Sequence, residues 1–137
     1  MAGTDSGRLA GPVKKLGFKA GQIVIEFGYD EDVNEDFRAA IAEIVESPLE
    51  DEAYDGVVDA VLLWWREGDG DLTDELVDAL TMVEEGGFIA VATPGISSPD
   101  RVEAHELQDA CNTSGLTAAG AVPIGTDWVS QRLVGRK

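Results

Sequence analysis

Basic residues are scarce. The chain carries 10 lysines and arginines against 27 aspartates and glutamates, a formal net charge of −17 over 137 residues. Binding nucleic acid through its phosphates needs a basic surface, and so does attraction to anionic lipid. Neither a nucleic acid nor a membrane is therefore expected as a partner. Cysteine is scarcer still. Cys111 stands alone, which excludes an intramolecular disulfide and any cysteine cluster for a metal. His105 is the only histidine. It falls six residues before Cys111 on what reads as one helix, roughly 240° around the axis, so the two point to different faces and form no nucleophile pair. Cys111 is expected in the core and His105 in solvent. No apolar run approaches the about 18 residues that span a bilayer. The opening Met1-Ala2-Gly3-Thr4-Asp5-Ser6-Gly7-Arg8 lacks the apolar core of a signal peptide. A cytoplasmic setting is the expectation, and the glycosylation sequon Asn112-Thr113-Ser114 carries no meaning there. No Gly-x-Ser-x-Gly elbow and no P-loop occur.

What the chain does have is alternation of short apolar runs with helical periods. Residues 1–13 are small, polar and Gly-rich, and are expected as a disordered tail ahead of a single domain, 14–137. Gln22 to Phe27 reads as a strand. It is nearly all apolar, which suits an interior parallel strand covered on both faces better than an edge strand. A helix is expected from Asp32, with Asp32 and Glu35 as a capping-box variant and Phe37, Ile41, Ile44 and Val45 on one stripe. Ser47-Pro48 ends it. Residues 49–59 read as an acidic linker, with at most a short strand at Leu49 and one helical turn around Tyr54. Ala60 to Trp65 and Phe88 to Ala92 are further buried strands. Between them Asp71 or Thr73 caps a helix that runs to about Glu85, with Leu72, Leu76, Leu80 and Val83 inward and Gly86-Gly87 as its C-cap. After the loop Ser97-Ser98-Pro99-Asp100, a helix over Glu103 to Ser114 turns Leu107, Ala110, Cys111 and Ser114 inward and stops at Gly115. Thr117 to Ile124 and Trp128 to Arg136, joined by Gly125-Thr126-Asp127, read as a hairpin. Strand–helix alternation followed by a hairpin predicts an α/β, Rossmann-like, mostly parallel sheet with an antiparallel C-terminal edge.

This order of elements resembles the class I methyltransferase-like fold. The lead-in Leu16-Gly17-Phe18-Lys19-Ala20-Gly21-Gln22-Ile23-Val24-Ile25 is similar to the approach to that fold's first strand. Leu80 to Val91, with Gly86-Gly87 inside it, is similar to its helix, Gly-Gly, strand segment. More closely, the chain resembles the bacterial family known as domain of unknown function 3052, in its actinobacterial branch. The matching phrases are Phe27-Gly28-Tyr29-Asp30, Asp59-Ala60-Val61-Leu62-Leu63-Trp64, Asp69-Gly70-Asp71-Leu72-Thr73-Asp74, Leu76-Val77-Asp78-Ala79-Leu80, Gly86-Gly87, Thr93-Pro94, and Trp128 followed by Arg132-Leu133-Val134. They span about residues 14 to 135 in order. That family has no assigned activity, so the resemblance implies a fold and a bacterial cytoplasmic setting rather than a reaction.

The chain departs from true methyltransferases at the turn after the first strand. Adenosylmethionine packs against bare backbone there and needs several glycines. Here the turn is Phe27-Gly28-Tyr29-Asp30-Glu31-Asp32, and Tyr29 is expected to stand in cofactor space. The second strand, whose terminal acid would hold the ribose, is short or absent. No cofactor is expected. Asp30, Asp32 and Asn34 occupy positions one, three and five of a calcium loop, but the sixth position is Glu35 and the twelfth Ile41, so the loop fails. Asp69-Gly70-Asp71-Leu72-Thr73 fails likewise, with Asp74 and Leu80 where Gly and Glu belong, and no metal is expected.

In open α/β sheets ligands bind outside the carboxyl ends of the strands, where strand order reverses. Gly28, Tyr29, Asp30, Trp65, Arg66, Thr93 and Pro94 are expected to line that crevice. Two readings follow. The preferred one is a non-catalytic methyltransferase-like domain that binds a basic protein partner or acts as a regulatory module. Its motivation is that 12 acidic residues lie between Glu26 and Asp55, where Arg38 is the only basic residue. The alternative is a small-ligand sensor or enzyme using the same crevice, motivated by Tyr29, Trp65 and Arg66. No catalytic residue is identifiable, and oligomeric state is open.

Overall fold

The computed structural model describes residues 9–95, 98–125 and 127–135. Residues 1–8 of the expected tail, Ser97 of the expected loop, Thr126 of the expected turn and Arg136 at the expected strand end fall outside them. The order is α1 (Ala10–Leu16), β1 (Val24–Phe27), α2 (Glu35–Val45), β2 (Val58–Trp64), α3 (Leu72–Met82), β3 (Val83–Pro94), α4 (Ala104–Ser114), β4 (Leu116–Ala118), β5 (Val122–Ile124) and β6 (Trp128–Gly135). One sheet runs β1-β2-β3-β6-β4, with β5 also paired to β6. The first three strands are parallel, and β6 returns antiparallel beside β3. The α/β sheet with an antiparallel C-terminal edge is therefore present as expected.

Successive side chains of a strand point to opposite faces, and both faces of this sheet are covered. Val24, Ala60, Leu62, Trp64, Phe88, Ala90 and Ala92 face α1 and α2. Ile25, Val61, Leu63, Trp65, Ile89 and Val91 face α3 and α4. Burial on both sides is why these strands read as continuous apolar runs.

β1 is nevertheless not interior. On its outer side Ile25 meets only Glu50, a single parallel bridge closed by Glu26 N–H to Glu50 O at 2.9 Å and Glu50 N–H to Val24 O at 2.8 Å. From β1 the chain thus steps outward to Glu50, then crosses back to β2. Right-handed connections that travel in opposite directions put their helices on opposite faces. That is why α2 and α3 lie on different sides of the sheet, and it places the reversal of strand order at β1.

Several local expectations change. Residues 9–13, expected in the tail, pack: Leu9 and Val13 are buried, and α1 starts at Ala10. α2 is capped by Asn34, whose side chain accepts from Phe37 N–H at 3.0 Å, because Asp32 is engaged elsewhere. α3 stops at Met82 rather than Glu85, since Val83 pairs with Val58 and β3 begins at once; Gly86, at φ 89°, lies inside β3 instead of capping a helix. The expected strand over Thr117 to Ile124 is two short strands, β4 and β5, both paired with β6.

Candidate functional site

Because β1 has the Glu50 bridge on one side and β2 on the other, the crevice above their carboxyl ends is where this topology offers a binding site. Gly28 follows β1 with φ 81°, a left-handed conformation that glycine adopts freely. Its Cα presses on the Trp64 backbone carbonyl, so a Cβ there would collide with it. The one glycine of the turn serves strand contact, not a ligand.

Arg66 fills the crevice. It leaves the end of β2 and its guanidinium grips the Asp32 carboxylate in two places, with Nε to Oδ2 at 2.9 Å and Nη2 to Oδ1. Nη1 donates to the Gly28 carbonyl at 3.0 Å. Its guanidinium carbon lies 5.3 Å from the centre of the Trp128 ring, a cation–π distance. Trp128 Nε1 in turn donates to the Asp32 carbonyl at 3.0 Å. Asp69 completes the site, accepting from Arg66 N–H at 2.9 Å. The Arg66 side chain is only 13% exposed. Its hydrogen bonds to Asp32 push its pKa up and hold the Asp32 carboxyl below the usual carboxylate range.

A second arginine anchors the other flank. Arg38, from α2, donates Nε and Nη2 to Glu26 at 2.7 and 2.8 Å and Nη1 to Glu35 at 2.8 Å. Glu26 lies buried in β1 and also accepts from Trp64 Nε1 at 2.7 Å. Tyr29 lies under Arg38, 4.5 Å from ring centre to guanidinium carbon, and its hydroxyl donates to Glu35 at 2.8 Å. That hydrogen bond raises the Tyr29 pKa and, with Arg38, lowers that of Glu35.

The seven residues expected to share one crevice are thus divided. Gly28 and Arg66 meet. Tyr29 does not stand in the crevice; it is half exposed on the α2 side, because Arg38 and Glu35 hold it there. Asp30 is exposed and turns back to cap Glu31 N–H at 2.7 Å. Trp65 is buried on the opposite face, beside α3. Thr93 lines a different cleft of about 340 Å³, with Arg101, Val102, Leu107 and Val129 among its other walls, whereas Pro94 borders both that cleft and the cavity beside Asp32 and Trp128. Asp32, Trp128, Glu26 and Arg38 were not anticipated as site residues. Asp32 was assigned to a helix cap, and the 34-residue separation of Arg66 from Asp32 leaves no local signal.

These residues do not fit adenosylmethionine. A guanidinium occupies the crevice, where the cofactor's sulfonium would add a second cation. The turn presents acidic side chains rather than bare backbone. Asp51, which follows the Glu50 bridge where a ribose-binding acid would stand, caps Ala53 N–H at 2.9 Å. Among the described residues no cluster of acids, histidine and cysteine is arranged to hold a metal, and no helix is long and apolar enough to cross a membrane.

Fold and crevice together define a methyltransferase-like α/β domain. Solved structures similar to it include a ribosomal protein L11 methylase from Lactobacillus delbrueckii subsp. bulgaricus, at 12% identity and TM-score 0.58, covering 96% of this chain and 79% of that one. Another is an O-methyltransferase from neocarzinostatin biosynthesis in complex with S-adenosyl-L-homocysteine and 1,4-dihydroxy-2-naphthoic acid, at 13% identity and TM-score 0.65, covering 96% of this chain and 56% of that one. At such identities the likeness concerns the fold alone. Residues 13–137 match the family described as protein of unknown function DUF3052, and the chain belongs to that family. An uncharacterized protein of Mycobacterium tuberculosis and one of Mycobacterium bovis are each 46% identical over 121 residues, 88% of this chain and 76% of theirs.

Proposed function

We propose that this chain is a non-catalytic, methyltransferase-like domain that acts by binding a basic protein partner through its acidic edge. The observation that carries this reading is the crevice itself. Its floor is taken by Arg66, tied to Asp32, Gly28 and Trp128, so the place that would serve chemistry is spent on an internal contact. The acidic edge supports it further. Of the 12 carboxylates between Glu26 and Asp55, only Glu26 is buried. The others follow β1, lie along α2 and continue through the Glu50 segment to Asp55. Such a surface steers a cationic partner and loses its pull as salt rises. The test is capture from bacterial extract on the immobilised full chain. A bound protein released between about 0.1 and 0.5 M salt is expected; recovery of nothing, or of proteins indifferent to salt, contradicts the reading. Adenosylmethionine should give no heat in calorimetry.

A second reading has one observation behind it. The 340 Å³ cleft between the end of β3 and the start of α4 is within the size range of small-molecule sites, with apolar walls and a few polar groups. A small-ligand sensor would use it. A thermal-shift screen with nucleotides and acyl compounds separates the two readings, since stabilisation abolished by a bulky change at Val129 favours the sensor.

A further inference from the structure

The Asp32–Trp128 crevice is built for a cation. Everything it presents to the Arg66 guanidinium is an acceptor or an aromatic face: the Asp32 and Asp69 carboxylates, the Gly28 carbonyl and the Trp128 indole. The geometry is the two-pronged carboxylate grip, with a cation–π contact beside it, and the paired grip favours guanidinium over ammonium. Beside it opens a cavity of about 380 Å³ that shares both Asp32 and Trp128 and is further lined by Asp100 and Asp127. The seat is therefore filled from within by the chain's own arginine, while the cavity beside it carries further carboxylates.

We propose that this seat is an exchangeable arginine site: an arginine side chain of the partner enters through the cavity, displaces Arg66 and takes its place on Asp32 and Trp128. The proposal rests on the reading that the partner is basic, and names which of its side chains is recognised and where. At the seat the incoming guanidinium takes over Asp32, the Gly28 carbonyl and the Trp128 ring, while Asp69 stays with Arg66. The bias toward the incoming arginine comes from Asp100, a further carboxylate along the cavity beyond the pairs that Arg66 makes with Asp32 and Asp69. Arg66 itself is not stranded, since Asp69 follows it into the β2–α3 loop. That loop carries Gly68 and Gly70, both at positive φ, between the end of β2 and the first turn of α3.

The full chain is titrated with hexa-arginine and, separately, with hexa-lysine, while the Arg66 Nε–H and Trp128 Nε1–H signals are followed by NMR. Hexa-arginine is expected to shift both signals in one saturable event. Hexa-lysine should bind about tenfold or more weakly at the seat, because an ammonium cannot make the paired grip. In Arg66→Ala, N-acetyl-arginine amide should bind about tenfold more tightly than to the wild type, and Asp32→Asn added to it should remove that gain. The proposal is overturned if hexa-arginine shifts signals across the acidic edge and leaves Arg66 and Trp128 unmoved, or if the double variant binds as well as Arg66→Ala. Should Arg66→Ala fail to fold, the wild-type titration decides alone. A salt-sensitive partner captured from extract that leaves the Arg66 signal unmoved would sink the seat while leaving the acidic-edge reading standing.

Discussion

Replacing Glu26 tests the anchoring of the whole site. Its carboxylate is 6% exposed and takes three hydrogen bonds, two from Arg38 and one from Trp64. In Glu26→Ala the Trp64 Nε1–H, on a side chain with no solvent exposure, loses its acceptor. An orphaned buried donor costs about 1–3 kcal/mol. Arg38 loses its main partner too, but its side chain is 29% exposed and keeps Glu35, so its share is below the about 3–5 kcal/mol of a fully buried broken pair. Together these give an expected loss of about 3 kcal/mol. Glu26→Gln should cost about 1 kcal/mol, because the amide oxygen still accepts from Trp64 while its NH2 group faces Arg38 without bonding it. Arg38→Met should approach the alanine value, since it leaves a carboxylate buried in β1 with only the indole as partner. The assay is urea unfolding followed by tryptophan fluorescence, with an unchanged slope confirming that stability alone moved. A loss below about 1 kcal/mol in Glu26→Ala, or Gln no better than Ala, would refute the claim that this carboxylate ties α2 to the sheet.

Other expectations are simpler. Gly28→Ala should destabilise by about 2 kcal/mol or more, from a positive φ and a collision with the Trp64 carbonyl that neither backbone can relieve; an unaltered urea midpoint contradicts it. Asn34→Ala should cost about 1 kcal/mol by removing the cap on Phe37 N–H, whereas the change at Asp32 should leave the helix start intact by circular dichroism. Asp32 and Glu35 both have lowered folded-state pKa values, from Arg66 and from Tyr29 with Arg38. Groups depressed on folding contribute stability that is full above their unfolded values and is lost as pH falls through the folded ones. The stability that these two groups contribute should therefore hold down to the ordinary values of 3.8 and 4.5 and decline below them. A Trp128 signal that changes between pH 5 and 7 would mean that another group governs it.

The sheet was legible because the physics that builds it is local. Ala60 to Trp65 and Phe88 to Ala92 are covered on both faces, so every position is apolar, and Leu107, Ala110 and Cys111 keep helical spacing. Lateral neighbours are not local. β1 has the same double coverage as an interior strand, and its residues carry no mark of having only Glu50 beyond them. The site was harder. Tyr29 stood out because a ring in a turn excludes volume, but which way it faces depends on Glu35 and Arg38, on the first turn of the next helix. Asp32 fits a helix cap by type and spacing, and only the distant Arg66 decides that it is not one. Charge pairs across 34 residues have no periodicity to read.

The single-bridge outer side of β1 and the filled crevice are one arrangement. A four-residue β1 at the edge of a sheet has little to hold its carboxyl end, since the usual outer neighbour is reduced to Glu50. Beyond Phe27 the chain leaves the ladder and runs through five residues, Gly28 to Asp32, of which three are acidic. Two arginines hold it, one on each side. Arg38 reaches from α2 to Glu26 inside the strand, where Trp64 also bonds, and Arg66 reaches from β2 to Asp32 beyond it, over Trp128; the two indoles meet edge-to-face with ring centres 4.8 Å apart. In a chain with only 10 basic residues, two are committed here. An open cofactor crevice would have to release Arg66 and with it the end of β1. The same contacts that let a shortened sheet keep its first strand are those that take the cofactor's place, so restoring a glycine-rich turn alone should not restore methyl-donor binding. Gly-Gly at positions 29 and 30 with Arg66 retained should remain silent toward adenosylmethionine in calorimetry, and binding by that variant would separate the two roles that the structure joins.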